Sequence, residues 1–265
     1  MKARRTIKDT LSRTYLSILN AFRYWFKKSS FGSFVVPNDY KLQFGDTFST
    51  MNAWDKTSEW GLPPYHPNNM LQWYDDEQVK LVPDGIEFNA ILKEGYDRPN
   101  AIGMIRSKDS WKYGIFKFNA KLPKGTYLWP ALWFSGKLSW PPEIDLLEAY
   151  SDETLDNHKN KKLQSNIHYT YGNEQQSFGG TNHWLPVETT EKFVEYTLWW
   201  EKDFIKIFYN GYMVLHVTNT KVLDGMFEEQ KVIIGNGTQD GFNKNCISAM
   251  IVKSLRIYQK INEKT

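Results

Sequence analysis

The sequence contains very little cysteine: Cys246 stands alone among 265 residues. A single cysteine excludes an intrachain disulfide, so the fold must be held together by packing. No stretch is apolar over enough residues to span a bilayer. The sequence also lacks a glycine-rich phosphate loop and a dinucleotide-binding fingerprint, and it has no zinc-like spacing of histidine, cysteine and carboxylate. We therefore predict no cofactor and no metal from its motifs.

The N-terminal residues lack the pattern of a signal peptide, because Asn20 and Arg23 interrupt the apolar stretch. Residues 1–31 instead contain eight Lys or Arg and one Asp. Apolar side chains recur there at helical spacing, at Leu11, Tyr15, Leu19, Phe22 and Phe26. We predict that residues 1–35 form a basic amphipathic segment with a short helix. That segment either packs on the following domain or is a tail, or it docks on a membrane surface or a partner.

Acidic residues slightly outnumber basic ones in the rest of the chain. The whole chain carries a net charge of +3 and residues 1–31 carry +7, so the remaining residues carry −4. A mildly acidic domain argues against nucleic acid as the main partner and suits a neutral polymer.

Aromatic residues are abundant, at 16% of the chain, with 11 Trp and 15 Tyr. They either fill a core or line a cleft in which flat rings contact sugar faces. From Tyr40 onward the pattern is that of short strands separated by turns, and Asn210-Gly211 is a strong hairpin signal. We predict one all-β domain over residues 36–265.

The stretch Glu143-Ile-Asp-Leu-Leu-Glu148 contains three carboxylates interleaved with large aliphatic residues, which is typical of a buried strand. Alternation places Glu143 and Asp145 on one face and Ile144 on the other. Glu148 lies at an odd offset, so a regular strand would bury it in the core at a large cost. A β-bulge across Leu146–Leu147 would return Glu148 to the face of the other two acids.

Such a cluster suits retaining glycoside hydrolysis, which uses two carboxyl groups about 5–5.5 Å apart. Crowding would raise at least one pKa in the cluster. Two other interpretations of the acids remain: exposed residues of an ordinary strand, or a cation site.

Further motifs surround the acids, and together with them the sequence resembles glycoside hydrolase family 16. The matching stretches are Gly103–Lys108, Tyr113–Phe118, Lys121–Gly125, Trp-Pro-Ala-Leu-Trp at 129–133, the acidic stretch itself and Asn166–Tyr169. The resemblance covers roughly residues 40–260 and is strongest between 101 and 170. The spacing of the acids resembles the bulged branch of that family.

The resemblance implies a two-sheet antiparallel jelly roll with an open concave cleft for a polysaccharide. It implies that Glu143 is the nucleophile, that Glu148 is the acid and base, and that Asp145 supports Glu143. The expected activity is endo-hydrolysis of a β-1,3- or mixed β-glucan. The alternatives are a transglycosylase, an algal galactan hydrolase on agar, porphyran or carrageenan, and a non-catalytic carbohydrate-binding sandwich. We expect a monomer, and a polysaccharide substrate implies action outside the producing cell.

Residues predicted to bind substrate surround the acids. In the stretch from Trp129 to Ser135, alternation sets Trp129 and Trp133 on one face and Leu132 on the other. His168 shares a polar strand face with Asn166, although a purely structural histidine is the other interpretation. The full set of predicted substrate-binding residues is Trp129, Trp133, Trp140, His168, Asn166, Arg106, Trp111, Tyr113 and Asn236.

A structural calcium is one feature that the resemblance implies in part. Many members of the family hold it with an aspartate of the final strand. Lys253 stands at that position here, which argues against a calcium site, although Asp46 lies near the usual place.

Overall fold

A computed structural model describes residues 32–60, 71–151, 163–180 and 189–261, together with Tyr15, Ile18 and Leu19. Apart from these three positions, the helix predicted within residues 1–35 lies outside the described residues. No helix among the described residues is long and apolar enough to cross a membrane.

The described chain is mostly strand. The strands are β1 (Tyr40–Asp46), β2 (Trp54–Lys56), β3 (Gln72–Tyr74), β4 (Val79–Val82), β5 (Gly85–Leu92), β6 (Asn100–Ile102), β7 (Met104–Trp111), β8 (Gly114–Lys121), β9 (Leu128–Gly136), β10 (Glu143–Ala149), β11 (Leu163–Tyr171), β12 (Glu174–Gly179), β13 (Val194–Glu201), β14 (Phe204–Tyr209), β15 (Tyr212–Val217), β16 (Gln230–Thr238) and β17 (Ser248–Lys260). Helical structure is limited to the helix α1 (Thr220–Asp224) and the 3-10 turns Thr57–Glu59 and Asp76–Gln78.

The strands form two sheets. The larger sheet has ten strands in the order β15-β14-β13-β8-β17-β5-β6-β3, with β1 beside β17 and β4 beside β5. The smaller sheet has seven strands in the order β12-β11-β10-β9-β16-β7-β2. The pairings are antiparallel except for β3 with β6, which is parallel. This arrangement confirms the predicted two-sheet, antiparallel-rich sandwich.

The core lies between the two sheets and is built by alternation along each strand. Phe116 and Phe118 of β8 point inward from the larger sheet, and Phe134 of β9 points inward from the smaller one. The rings of Phe116 and Phe134 meet edge to face with centroids 4.8 Å apart. Such inward-facing apolar layers hold two stacked sheets together.

The predicted bulge in β10 is present. Against β11, Asp145 pairs with Asn166 and Glu148 pairs with Gln164, so three steps on β10 match two steps on β11. Against β9 the same shift falls between Asp145 and Leu147. Leu146 and Leu147 are both fully buried, because the extra residue lets both side chains point into the core.

Candidate active site

A cleft of about 740 Å³ lies on the outer face of the smaller sheet. Its floor is formed by side chains of β7, β9, β10, β11 and β16. Trp60 and Trp140, from segments outside the strands, form part of its walls. The cleft face is the face opposite the core, so the residues that line it alternate with buried ones.

All three acids of β10 line this cleft. Asp145 and Glu148 are almost fully buried, with 5% and 6% exposure, and Glu143 is partly buried. Because the bulge restores Glu148 to the side of Glu143, the three carboxylates converge rather than alternate.

Glu143 and Asp145 share a contact with His168 of β11. The Nε2 atom of His168 lies 3.3 Å from Oδ2 of Asp145 and 3.7 Å from Oε1 of Glu143. The indole N–H of Trp140 donates a hydrogen bond to Oε2 of Glu143, with a nitrogen–oxygen distance of 3.1 Å. The Glu143 carboxyl is therefore held between a ring nitrogen on each side.

Glu148 is held by a different set of groups. The indole N–H of Trp129 donates to Oε1 of Glu148 at 3.0 Å. The Tyr150 hydroxyl also donates to Oε1, and the amide nitrogen of Asn166 donates to Oε2. Each donor comes from a different part of the chain: β9, the residue just after β10, and β11.

The electrostatics of the cluster favour bound protons. Burial, followed by repulsion from Asp145, raises the pKa of Glu143 to about 8. Burial and the nearby charge of Glu148 raise the pKa of Asp145 well above its usual range. Burial likewise raises the pKa of the Tyr150 phenol, so this hydroxyl remains a donor. Crowded carboxyl groups with raised pKa values are typical of acid–base sites.

The same cluster has donors that a divalent metal could use, because ligand atoms of Glu143, Asp145 and His168 lie within 4.8 Å of one another.

The structural calcium site implied by the family resemblance, which is a different place, fits the residues poorly. Both oxygens of Asp46 accept hydrogen bonds, from the Phe48 backbone N–H and the Trp54 indole. The ammonium of Lys253, where the family has an acid, faces Asp84 at 3.9 Å.

Five of the nine predicted substrate-binding residues line the cleft: Trp129, Trp133, Trp140, Asn166 and His168. Alternation along β9 is as expected, because Ala131 joins the two tryptophans in the cleft whereas Leu132 is fully buried. Trp129, however, is partly covered, since its ring lies 5.0 Å from that of Tyr150 at an interplanar angle of 31°.

Three predicted residues lie away from the described lining of the cleft. Arg106 packs against Trp60, with its guanidinium carbon 4.9 Å from the centroid of that ring and its Nη2 atom 3.8 Å from Oδ2 of Asp55. Trp111 packs against Phe44 and lines a separate, lysine-rich groove.

Tyr113 is the third of these residues. Its ring packs edge to face on buried Trp200 at 5.3 Å. Its placement is therefore that of a residue at the edge of the core.

Asn236 requires a correction, because the sequence analysis placed it in the cleft. Gly235 and Gly237 face the cleft, so alternation turns Asn236 toward the core, where it is fully buried. Its amide nitrogen donates to the carbonyls of Phe88 and Ser248, 3.1 and 3.0 Å away, in the larger sheet. Asn236 thus links the two sheets.

Sequence reasoning missed part of the lining: Gln72, Tyr74, Met104, Tyr150, Ser177, Ile233, Gly235 and Gly237. Tyr150 had a usable signal, because it lies two residues beyond Glu148 and therefore on the same side. Gln72 and Tyr74 had none, since the short parallel pairing of β3 with β6 that positions them leaves no local pattern.

A two-sheet sandwich with converging carboxylates in a tryptophan-lined cleft defines the class of β-sandwich glycoside hydrolases. The chain belongs to the glycosyl hydrolases family 16, whose sequence model matches residues 69–244.

Curated relatives resemble parts of the chain. The glucan endo-1,3-beta-glucosidase A1 of Niallia circulans is 36% identical over 131 residues, which are 44% of this chain and 18% of that protein. The glucan endo-1,3-beta-glucosidase of Cryptopygus antarcticus is 25% identical over 183 residues, 61% of this chain and 63% of that protein. A beta-1,3-glucan-binding protein of Penaeus monodon is 32% identical over 88 residues, 30% of this chain and 19% of that protein. The chain thus spans less than two thirds of each of these relatives.

Solved structures share the fold along most of the chain. The laminarinase catalytic domain of Thermotoga maritima MSB8 superposes with a TM-score of 0.69 at 19% identity, covering 85% of this chain and all of that one. LamAcat from Zobellia galactanivorans superposes with a TM-score of 0.67 at 23% identity, covering 87% of this chain and 99% of that one.

Proposed function

We propose that the protein is a retaining, endo-acting glycoside hydrolase that cleaves a neutral β-glucan with β-1,3 or mixed linkages. The observation that carries the proposal is that the bulge in β10 turns the side chains of both Glu143 and Glu148 into the cleft. Paired carboxyl groups flanking a sugar-sized cleft are what double displacement requires. The names of the glucanase relatives support internal cleavage of a β-glucan.

In the first step, a carboxylate oxygen of Glu143 attacks the anomeric carbon and forms a glycosyl ester. The bond to the glycosidic oxygen breaks, and Glu148 gives its proton to that oxygen, so the leaving sugar departs as an alcohol. In the second step, Glu148 removes a proton from water as the water attacks the same carbon. Glu143 leaves as a carboxylate, and Glu148 is protonated again.

Asp145 and His168 serve the nucleophile in this scheme. Glu143 must lose its proton before it attacks, and its pKa of about 8 means that burial opposes this loss. The His168 ring lies against both carboxyl groups and favours the charged form of Glu143. We assign His168 two roles: it holds the carboxyl groups of Glu143 and Asp145 in place, and it contacts a sugar hydroxyl.

The charge of the lining supports a neutral substrate. The described lining contains three acids and one histidine but neither lysine nor arginine. Sulfated galactans need arginine or lysine to bind their sulfate groups. Tryptophan faces and short polar side chains, by contrast, suit an uncharged glucan.

A second candidate function is glucan binding without cleavage, which the Penaeus monodon relative favours by its name. The acids distinguish the two candidates. A binding protein has no need for converging carboxyl groups whose pKa values are raised by burial and by one another. Hydrolysis is therefore the first choice.

The experiment measures reducing ends released from laminarin, mixed-linkage glucan, agarose, porphyran and carrageenans. We expect release from a β-glucan by the wild type, no release by Glu143→Gln, and wild-type rates for the control Glu94→Gln, an exposed residue outside the described cleft lining. Binding without release would support the second candidate. Release from a galactan would replace the proposed substrate, and new, longer products with added oligosaccharide would indicate transglycosylation.

Three further proposals rest on the sequence. We propose that residues 36–265 are the catalytic domain, that the protein acts as a monomer, and that residues 1–31 pack on this domain or form a tail, with docking on a membrane surface or a partner as the alternative. Sedimentation of the full chain tests whether the protein is a monomer. Binding of the full chain to a membrane surface, compared with binding of a variant without residues 1–31, tests the role of that segment.

A further inference from the structure

Beyond Glu148, the bulge also changes which residues reach the cleft. Ala149 is fully buried, and Tyr150 comes out on the cleft side. Its hydroxyl donates to Oε1 of Glu148, and its ring lies against that of Trp129. Because this contact orients the ring, the hydroxyl is aimed at one particular carboxylate oxygen.

The two oxygens of Glu148 are used unequally. Oε1 accepts two hydrogen bonds, from Trp129 and Tyr150, whereas Oε2 accepts one, from Asn166. A carboxylate oxygen has two lone pairs. Both lone pairs of Oε1 are therefore occupied, and one lone pair of Oε2 is free to hold a proton.

We propose that Tyr150 is a positioning residue that, together with Trp129, reserves Oε1 of Glu148 for hydrogen bonds and so leaves Oε2 as the atom that transfers the proton. This inference rests on the proposed hydrolysis and deepens it. In the first step the proton passes from Oε2 to the glycosidic oxygen, and in the second it passes from water back to Oε2. Without the Tyr150 hydroxyl, Oε1 has a free lone pair and the proton divides between two oxygens, one of them misdirected.

Tyr150→Phe tests the proposal, because it keeps the ring against Trp129 and removes the hydroxyl alone. The measurement is kcat/KM for two substrates of the full-length protein. One is an unmodified β-1,3-glucan oligosaccharide, whose leaving group needs a proton. The other is a 2,4-dinitrophenyl β-glycoside of the same glucan, whose leaving group departs as an anion and needs none.

We expect Tyr150→Phe to lower kcat/KM on the oligosaccharide by about 10-fold or more, part of the ~10²–10⁴ that a positioned acid contributes. On the dinitrophenyl glycoside, kcat/KM should stay at the wild-type value, because it reports formation of the glycosyl ester. A merely structural role would lower both values together. Equal losses on both substrates, or no loss on either, would overturn the proposal.

Two further variants complete the design. Trp129→Phe removes the other donor to Oε1 and should show the same split between substrates, which keeps the proposal testable if Tyr150→Phe folds poorly. Tyr171→Phe, an exposed tyrosine at the end of β11, is the matched control and should leave both values unchanged. If the wild type cleaves neither substrate, the proposed hydrolysis itself fails, a result distinct from a missing split.

Discussion

The indole nitrogen of Trp140 lies 3.1 Å from Oε2 of Glu143. Trp140 is half exposed on a loop before β10, and its ring centroid is 5.9 Å from that of His168. Its hydrogen bond favours the charged form of Glu143, against the burial that raises the pKa of this carboxyl to about 8. One residue thus lines the cleft and also stabilises the charged form of Glu143, the proposed nucleophile.

Replacing Trp140 by Phe should move the acidic limb of the kcat/KM profile to higher pH. Loss of the donor raises the pKa of Glu143 further, so the carboxyl stays protonated, and inactive, over more of the pH range. Because the tryptophan is half exposed, we expect a shift of up to about one pH unit. The profile is measured on a glucan oligosaccharide.

Trp111→Phe is the matched control for that shift. Trp111 packs against Phe44 away from the described cleft lining, so its variant should keep the wild-type pH profile and KM. A shift in Trp111→Phe but not in Trp140→Phe would contradict the placement of both residues.

Glu143→Gln should make the protein more stable at neutral pH. The folded pKa of Glu143, about 8, lies above its ordinary value of 4.5. Between these values the folded state binds more protons than the unfolded state, so stability falls as pH rises. A neutral glutamine removes this loss. The gain should be small below pH about 4.5, grow up to pH about 8 and stay constant above it, with a Tm rise of about 2–4 °C for each 1 kcal/mol.

Thermal unfolding of the wild type and Glu143→Gln measures this effect across pH ~4 to ~9, a range that includes both the ordinary and the folded pKa of Glu143. Glu94→Gln serves as the control, because Glu94 is exposed and lies outside the described cleft lining. A Tm difference for Glu143→Gln that does not change with pH would show that Glu143 is not held in its protonated form.

Asn236→Ala should weaken the fold without weakening substrate binding. The change leaves the Phe88 and Ser248 carbonyls without their amide donor between the sheets. Unsatisfied buried groups of this kind cost about 1–3 kcal/mol. Denaturant unfolding should therefore show a lower midpoint, whereas KM should be unchanged. A raised KM with unchanged stability would contradict the buried placement of Asn236 and indicate that it contacts the substrate.

Local sequence patterns predicted the parts of the site that depend on one strand. Alternation between Trp129 and Trp133 placed both in the cleft, and the odd spacing of Glu148 predicted the bulge. The second inference rests on burial: a lone acid cannot remain in an apolar core, so the strand must adjust around it. The jelly-roll fold and the hydrolase activity were expected from the resemblance to glycoside hydrolase family 16, which the acids and their neighbouring motifs carry.

Residues whose position depends on partner strands were not predictable in this way. Arg106 belongs to β7, which contributes Met104 to the cleft, but its guanidinium packs against the ring of Trp60 from a distant segment. The direction of Asn236 depends on the phase of β16 relative to β9, which a glycine-rich stretch does not reveal. Pairing register and loop packing are long-range properties, and a single sequence carries little signal for them.

The account depends most on Glu143 as nucleophile and Glu148 as acid and base, and azide rescue tests both assignments. The measurement is the anomeric configuration of glycosyl azide formed from an activated β-glucoside. Glu143→Ala should yield the α-azide by direct displacement, and Glu148→Ala should yield the β-azide through the glycosyl ester. Exchanged configurations would reverse the two roles, and formation of neither azide by a folded variant would contradict double displacement at these residues.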